Sequence, residues 1–246
     1  MNTSTESQSE QIRERYQHVC EQVSAAATRV GRDASSLRVV VVTKTQPIET
    51  LRAVLEADIT EIGENYAEEA VQKMSALGDP VGVNWHMIGH VQSRKAALVA
   101  QHFSLMHSLD GFKLAGKLDR AATEAGRVLP VLLECNVSGE SSKFGYPSWS
   151  KSQWLGLLDE AKQIIEFPGL SLRGLMTMPP FSEDAEQSRP FFRRLRDLRD
   201  FLQTAIPEVA LNELSMGTSA DFESAVEEGA TLVRIGTAIV GPRLRP

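Results

Sequence analysis

The sequence predicts a single (β/α)8 TIM barrel with one additional helix at its amino-terminal end. Eight strand-like apolar runs alternate with helix-like segments along the chain, which is the order required by parallel strands joined by right-handed crossovers. The length of 246 residues matches the roughly 250 residues of a typical barrel. The first strand is not followed by the GxGxxG sequence of a dinucleotide-binding open sheet, so closure of the sheet is favoured.

The first predicted strand shows why the strands are expected to be parallel. Residues Leu37–Thr43 form a β-branched apolar run without alternation, the pattern of a strand covered on both faces. The eight predicted strands are Leu37–Thr43, Ile59–Ile62, Trp85–Ile88, Leu105–Leu109, Leu129–Val137, Ser171–Met176, Glu213–Met216 and Leu232–Ile235. Segments long enough for crossover helices lie between them, among them Ile48–Ala57, Ala67–Leu77, Phe112–Ala125, Ser152–Ile165 and Ala185–Ala205.

An amphipathic helix is predicted before the first strand. Apolar residues recur every three or four positions from Ile12 to Val30, and Gly31 is placed to end the helix. Residues 1–10 are polar and are predicted to form a flexible tail, which leaves residues 11–246 as one domain. The last predicted strand is followed by residues 237–246 only, too few for a full closing helix, so the additional helix is expected to take that place.

The composition is that of a globular protein and argues against several classes of partner. The formal net charge of −6 disfavours broad binding to nucleic acid or to an anionic membrane. The chain lacks a secretory start and any apolar run of the ~18 residues that would suggest a membrane span. Cys20 and Cys135 are the only cysteines, too far apart for a CxxC site. We therefore expect a cytoplasmic protein without disulfides or zinc.

A dense arginine cluster, Arg193, Arg194, Arg196 and Arg199, alternates with apolar and acidic residues. This pattern predicts the charged outer face of an amphipathic helix.

His86 and His90 are spaced like metal ligands, but Gly89 and the strand character of residues 85–88 are incompatible with the helical geometry that would align them. No metal site is expected.

Two glycine-containing loops predict a phosphate site. They are Leu214–Ser219 and Arg234–Ala238, which follow the seventh and eighth predicted strands, the positions where barrels often bind phosphate. Glycine lets the backbone approach an anion, and hydroxyl and N–H groups supply donors. Gly217 or Gly236 alone could be only a turn residue, but their pairing at these two positions favours phosphate.

Lys44 directly follows the first predicted strand and is the candidate nucleophile. An amine with an ordinary pKa of ~10.4 becomes reactive when burial or nearby cations lower that value; a lysine can equally extend into solvent. An imine-forming lysine with a distant phosphate cradle describes a pyridoxal phosphate site, and also a Schiff-base aldolase for a phosphosugar. Further polar groups predicted at this rim are Glu64, Asn65, His86, Ser138 and Lys143.

Seven motifs, in order, resemble the pyridoxal phosphate homeostasis proteins, the YggS/PROSC family, and the match runs from about Val39 to Gly241. The motifs are Thr43–Pro47, Gly63–Tyr66, Trp85–Gly89 with Gln92–Lys95, Asn136–Ser138 with Lys143 and Gly145, Leu172–Met176, Leu214–Gly217 and Val233–Thr237. One departure is His90, where family members often carry proline; it affects local loop shape.

The resemblance implies a barrel like the amino-terminal domain of alanine racemase, with pyridoxal phosphate as a Schiff base on Lys44. It implies that the phosphate binds the 215–219 loop, Gly236 and Thr237, that Arg234 lies near the pyridine nitrogen, and that Asn65 and His86 lie at the pocket. The implied cofactor-binding residues are Lys44, Asn65, His86, Ser215, Met216, Gly217, Ser219, Arg234, Gly236 and Thr237.

The expected function is reversible binding, buffering or delivery of pyridoxal phosphate by a cytoplasmic monomer, with apo-enzymes as recipients and without a robust reaction of its own. An arginine facing the pyridine nitrogen disfavours its protonation and makes the ring a weaker electron sink. Two-domain racemases take a base from a second domain, and this chain ends about ten residues after its last predicted strand. A pyridoxal phosphate-dependent amino acid racemase and a phosphosugar aldolase stay open as alternatives. Lys143 is a hypothetical transient holder of the aldehyde during transfer.

Overall fold

Eight parallel strands close into a barrel in the computed structural model, which describes residues 3–242, with side chains from residue 8 onward. Strand β1 pairs with both β2 and β9, and β4 pairs with β5, which completes the ring. The strands are β1 (Arg38–Val42), β2 (Glu61–Glu64), β3 (Asn84–Met87), β4 (Leu105–Leu109), β5 (Leu129–Asn136), β6 (Tyr146–Pro147), β7 (Leu170–Met176), β8 (Glu213–Ser215) and β9 (Leu232–Ile235). The two-residue β6 only extends the end of β5. The predicted fold class is confirmed.

The helices surround the barrel. They are α1 (Thr3–Arg29), α2 (Ile48–Glu56), α3 (Ala67–Ala76), α4 (Ala96–His102), α5 (Phe112–Glu124), α6 (Lys151–Ile164), α7 (Arg189–Ala205), α8 (Phe222–Glu227) and α9 (Thr237–Val240). Helix α9 is a single turn. Helix α1 packs against α2, α8 and α9 and so covers the position of a closing helix.

The amino-terminal helix starts earlier than the sequence indicated. Residues 3–10, which we expected in a flexible tail, are helical; Met1 and Asn2 lie outside the described residues. The helix is held at this end because Gln8 Nε2 donates to Thr50 Oγ1 of α2 at 3.2 Å and because Ile12 is buried. These contacts are made with a distant segment, so the polar composition of residues 1–10 does not reveal them.

Apolar side chains fill two regions, one outside the barrel and one inside it. In β1, Val39 and Val41 belong to the outer core between sheet and helices. Val40 belongs to an inner cluster with Leu105, Leu132, Met176 and Leu232. Because both faces of β1 are buried in apolar surroundings, its sequence is continuously apolar rather than alternating.

Strand β2 begins and ends two residues later than predicted. Ile59 is 1% exposed, but it lies in the turn after α2, where Asp58 has a φ of +64°. Gly63 lies within β2, at a position where a Cβ would lie only 2.9 Å from Val40 Cγ1. Burial of an apolar residue in a turn and glycine within a strand both mislead a prediction that rests on residue type.

The described residues contain neither a membrane-spanning helix nor a cluster suited to a metal ion. Over residues 3–242, no helix is long and apolar enough to cross a membrane. The same part of the chain contains no group of three or more histidine, cysteine or acidic side chains arranged to hold a metal ion. Cys20 and Cys135 are free thiols.

Candidate functional site

A cavity of about 390 Å³ opens at the carboxyl ends of β1, β8 and β9. Six of the residues predicted for the site line it: Lys44, Asn65, Ser219, Arg234, Gly236 and Thr237. The amine after the first strand therefore shares one cavity with the loops after the last two strands. Their positions follow from barrel closure, which places β1 beside β9.

The backbone on both sides of Lys44 is fixed by hydrogen bonds. The Thr43 carbonyl accepts a hydrogen bond from Lys73 Nζ at 2.9 Å. The Thr45 N–H donates to Glu69 Oε1 at 2.9 Å, and Thr45 has a φ of +60°, a conformation uncommon for residues other than glycine. These bonds hold the sharp turn that follows β1 and contains Lys44.

A buried ion-pair cluster lies behind that turn. Lys73 of α3 contacts Glu64 Oε1 at 2.8 Å and Glu69 Oε1 at 2.6 Å, and Thr43 Oγ1 donates to Glu64 Oε1 at 2.7 Å. Burial raises the pKa of Glu64, and the Lys73 charge and the hydrogen bonds oppose that rise. Sequence reasoning found Glu64 but missed Lys73, although a lysine on the buried face of a helix, beside Ala70 and Met74, is an available signal.

The two glycines of the predicted phosphate loops have different roles. Gly217 has a φ of +92°, and a Cβ there would lie 2.6 Å from the Ala225 Cβ, so packing against α8 requires glycine. A Cβ on Gly236 would meet only Val42, at an ordinary 3.6 Å. Protein packing does not demand glycine at 236, which is the situation expected where a ligand approaches the backbone.

Arg234 forms the floor of the cavity and is 4% exposed. Its Nη1 donates to Ser215 Oγ at 2.5 Å, and its Nη2 donates to the Thr177 carbonyl at 2.9 Å. Burial lowers the pKa of the guanidinium to about 10, and the charges of Asp221 and Glu134 oppose that shift. Arg234 is therefore still a cation at neutral pH.

Four predicted site residues lie behind the cavity wall rather than in it. They are His86, Ser215, Met216 and Gly217. His86 points into the barrel interior and contacts His107, Ser215 is buried under Arg234, and Met216 is part of the outer core. A short motif locates a loop or strand at the site, but the alternation of side chains along a strand decides which of its residues face the opening.

A second, larger cavity of about 610 Å³ adjoins the first. The residues common to both are Asn65, Ile88 and Met178. Lys143 lines the second cavity and donates from Nζ to the Pro179 carbonyl at 3.4 Å. Glu134 lines it too, and burial, with Asp110 nearby, raises the pKa of Glu134 to about 7. Lys143 and Lys44 thus line two adjoining cavities at the same end of the barrel.

Known proteins resemble this chain over nearly its whole length. Residues 15–244 match the family described as "Alanine racemase, N-terminal domain". The pyridoxal phosphate homeostasis protein of Aquifex aeolicus is 40% identical over 230 residues, which cover 94% of this chain and 97% of that protein. The Escherichia coli protein of the same name is 37% identical over 230 residues, 92% of this chain and 94% of its own. The chain belongs to the pyridoxal phosphate homeostasis family.

Solved structures place this family member on the barrel shared with alanine racemases. PipY of Synechococcus elongatus, in a structure described as having PLP bound, superposes with a TM-score of 0.79 at 32% identity, over 94% of this chain and all of that one (100%). Alanine racemase of Clostridium difficile superposes with a TM-score of 0.66 at 11% identity, over 94% of this chain and 56% of that one. The second likeness shows a common fold.

The cavity of this homeostasis-family protein has the groups that pyridoxal phosphate requires. Its volume of about 390 Å³ lies within the ~300–1,000 Å³ of small-molecule sites. Asn65 Oδ1 is buried without a hydrogen-bond partner among the described residues, so it needs a donor from outside the protein. Ser219 and Thr237 line the cavity with hydroxyl donors, and Arg234 lines it with a buried cation.

Proposed function

We propose that this protein binds pyridoxal phosphate reversibly as a Schiff base on Lys44 and buffers the cofactor or delivers it to other proteins. The decisive observation is that Lys44, Arg234 and the glycine loop at Gly236 line one cavity. The names of the relatives and the PLP-bound PipY structure support the proposal. In the binding step the Lys44 amine would attack the aldehyde carbon of the cofactor, and a C=N bond would form with loss of water.

Each lining residue has a role suited to its chemistry. Ser219, Gly236 and Thr237 would bind the phosphate through hydroxyl and backbone N–H donors. Asn65 would bind a polar group on the ring. Arg234 would face the pyridine nitrogen and, because its charge is permanent, would keep that nitrogen unprotonated. The ring would then be bound firmly while it remains a weak electron sink.

The absorption of the purified protein during a titration with pyridoxal phosphate tests this proposal. We expect a near-visible Schiff-base band in the wild type and in Lys117→Ala, a matched change at an exposed lysine of α5. The band should be lost in Lys44→Ala. Retention of the full band in Lys44→Ala would exclude this lysine as the anchor.

The carrier role, as opposed to catalysis, has a separate test. We infer that the loaded protein exchanges the α-hydrogen of alanine with deuterated solvent no faster than free pyridoxal phosphate does, because the unprotonated ring stabilises a carbanion poorly. Proton NMR of alanine in deuterium oxide measures this rate. Exchange at the rate of a dedicated racemase would contradict the carrier role.

The route of delivery is also open to experiment. We propose that a cytoplasmic monomer passes the aldehyde to an apo-enzyme and that Lys143, in the adjoining cavity, holds it transiently. Transfer from the loaded wild type to an apo-enzyme should then be faster than transfer from Lys143→Ala. Equal rates would remove Lys143 from the route and leave the binding at Lys44 unaffected.

A further inference from the structure

A continuous chain of hydrogen bonds crosses the barrel interior from the amino-terminal end of β2 to the cavity floor. Glu61 Oε2 contacts His86 Nε2 at 2.8 Å, and His86 Nδ1 contacts His107 Nε2 at 2.9 Å. His107 Nδ1 contacts Ser215 Oγ at 2.7 Å, and Ser215 Oγ contacts Arg234 Nη1 at 2.5 Å. The five residues come from β2, β3, β4, β8 and β9.

One set of bond directions pairs every donor in this hydrogen-bond chain with an acceptor. Arg234 can only donate, so Ser215 Oγ accepts from it and gives its own proton to His107 Nδ1. His107 must then carry its hydrogen on Nε2 and donate to His86 Nδ1. His86 likewise carries its hydrogen on Nε2 and donates to Glu61, whose carboxylate only accepts. In this set both histidines carry a hydrogen on Nε2.

Burial makes this arrangement hard to change. His107 and Ser215 are 0% exposed and His86 is 1% exposed. Burial, together with His86 and Arg234, lowers the pKa of His107 well below its usual value, in agreement with a neutral ring. Burial alone would raise the pKa of Glu61, but the hydrogen bonds from His86 and Asn84 bring it below its usual value, so Glu61 is an ionised acceptor.

The hydrogen-bond chain contacts the Arg234 guanidinium from the barrel interior. Ser215 and the Thr177 carbonyl accept from Nη1 and Nη2, and a guanidinium has five N–H donors in a fixed plane. With two of its nitrogens held from within the barrel, the plane of the guanidinium can no longer rotate. Its remaining donors keep a set direction relative to the cavity that Arg234 lines.

We propose that Glu61, His86 and His107 are positioning residues that orient Arg234 for the pyridine nitrogen of the cofactor. This inference rests on the proposed binding of pyridoxal phosphate. It adds the residues that orient Arg234, the arginine proposed to contact the ring. The interior of a barrel is normally filled by branched aliphatic side chains, and five apolar side chains form such an inner cluster here. A polar chain in such surroundings is tolerated only when every member is satisfied.

Nitrogen-15 NMR of labelled wild-type protein without cofactor tests the hydrogen-bond chain directly. We expect that at neutral pH His86 and His107 both carry hydrogen on Nε2 only. A hydrogen on Nδ1 of His107, or a doubly protonated ring, would overturn the proposal. The measurement needs no variant and no bound cofactor, so it stands even if the protein should fail to bind pyridoxal phosphate.

Substitution of His107 tests the consequence for binding. We expect His107→Leu to raise the Kd for pyridoxal phosphate about tenfold, the effect of losing one hydrogen bond that supports a charged group. The nitrogen-15 shift of labelled pyridine nitrogen should move as well. His107→Gln, which keeps a donor and an acceptor, should restore part of the affinity. His102→Leu, the same change at an exposed histidine of α4, should match the wild type.

The outcomes are distinguishable. A folded His107→Leu protein with wild-type Kd and an unchanged pyridine nitrogen shift would overturn the positioning role. If His107→Leu does not fold, the histidine tautomers measured in the wild type decide whether the proposal holds. If the wild type binds no pyridoxal phosphate, the proposed function fails and the positioning role fails with it, while the tautomers report separately on the hydrogen-bond chain.

Discussion

Three ionisable residues around the mouth of the barrel are shifted by burial, each with a different result. Arg234 keeps its charge at neutral pH because a guanidinium pKa lowered to about 10 is still high. The pKa of Glu64 is raised by burial, yet a lysine lies 2.8 Å away to offset the cost of its charge. Burial and the charge of Asp110 raise the pKa of Glu134 to about 7, although Arg234, His90 and Lys143 oppose that rise.

Glu134 gives a pH-dependent prediction for stability. Between an unfolded pKa of about 4.3 and the folded pKa of about 7, the folded state binds more protons, so the free energy of unfolding falls as pH rises. Above pH 7 the penalty is complete. We expect Glu134→Gln to be more stable than the wild type at pH 8, by about 3 kcal/mol, and nearly equal to it in stability at pH 4.

Urea unfolding of both proteins at several pH values measures this difference. Glu166→Gln, the same change at an exposed glutamate, should show no pH-dependent difference from the wild type. A difference between Glu134→Gln and the wild type that is constant from pH 4 to pH 8 would contradict the raised pKa of Glu134 in the folded state.

Lys73 gives a prediction about the support behind Lys44. Lys73→Met leaves Glu64 buried without its cation, and breaking one half of a buried pair costs about 3 kcal/mol. We expect that loss of unfolding free energy at pH 7, together with weaker binding of pyridoxal phosphate, because Thr43 loses the donor to its carbonyl. Addition of Glu64→Gln should restore much of the stability. Lys117→Met is the matched surface control, and equal stability of the two single variants would disprove the role of Lys73.

At the scale of elements, the strands were easier to predict than their ends. The β1 run is apolar throughout because both of its faces are buried, so residue type alone located it. The ends of β2 were misplaced because Gly63 lies in the strand and buried Ile59 lies outside it. In α7, the arginines do not only face solvent: Arg193 and Arg196 contact the Glu228 carboxylate at 2.9 and 2.8 Å, a contact with a distant segment that helical periodicity cannot reveal.

The packing of β7 against β8 depends on one glycine. A Cβ on Gly174 would lie 1.8 Å from the Glu213 carbonyl oxygen, so Gly174→Ala must push the two strands apart. We expect a loss of about 3 kcal/mol of unfolding free energy. Gly156 lies within α6 with no atom within 4 Å of an added Cβ, and Gly156→Ala should instead gain about 0.5–1 kcal/mol. Thermal unfolding compares them, and equal effects would argue against the close approach of β7 and β8.

At the scale of the whole molecule, barrel closure explains which parts of the site were predictable. Carboxyl ends of all strands meet at one mouth, so Lys44 and the loop at Gly236 could be brought together from their order in the sequence. The contact between His107 and Ser215 joins residues 108 positions apart. It depends on which side chains point inward from strands on opposite sides of the ring. No local pattern encodes that contact, and sequence reasoning accordingly assigned His86 to the pocket instead of to the barrel interior.

The central claim is that one lysine at the end of β1 forms the bond to the cofactor. Borohydride reduction of the protein saturated with pyridoxal phosphate, followed by peptide mass spectrometry, locates that bond directly. We expect one reduced pyridoxyl phosphate per chain, attached to Lys44. Attachment mainly to Lys143 or to surface lysines, with Lys44 unmodified, would contradict the claim.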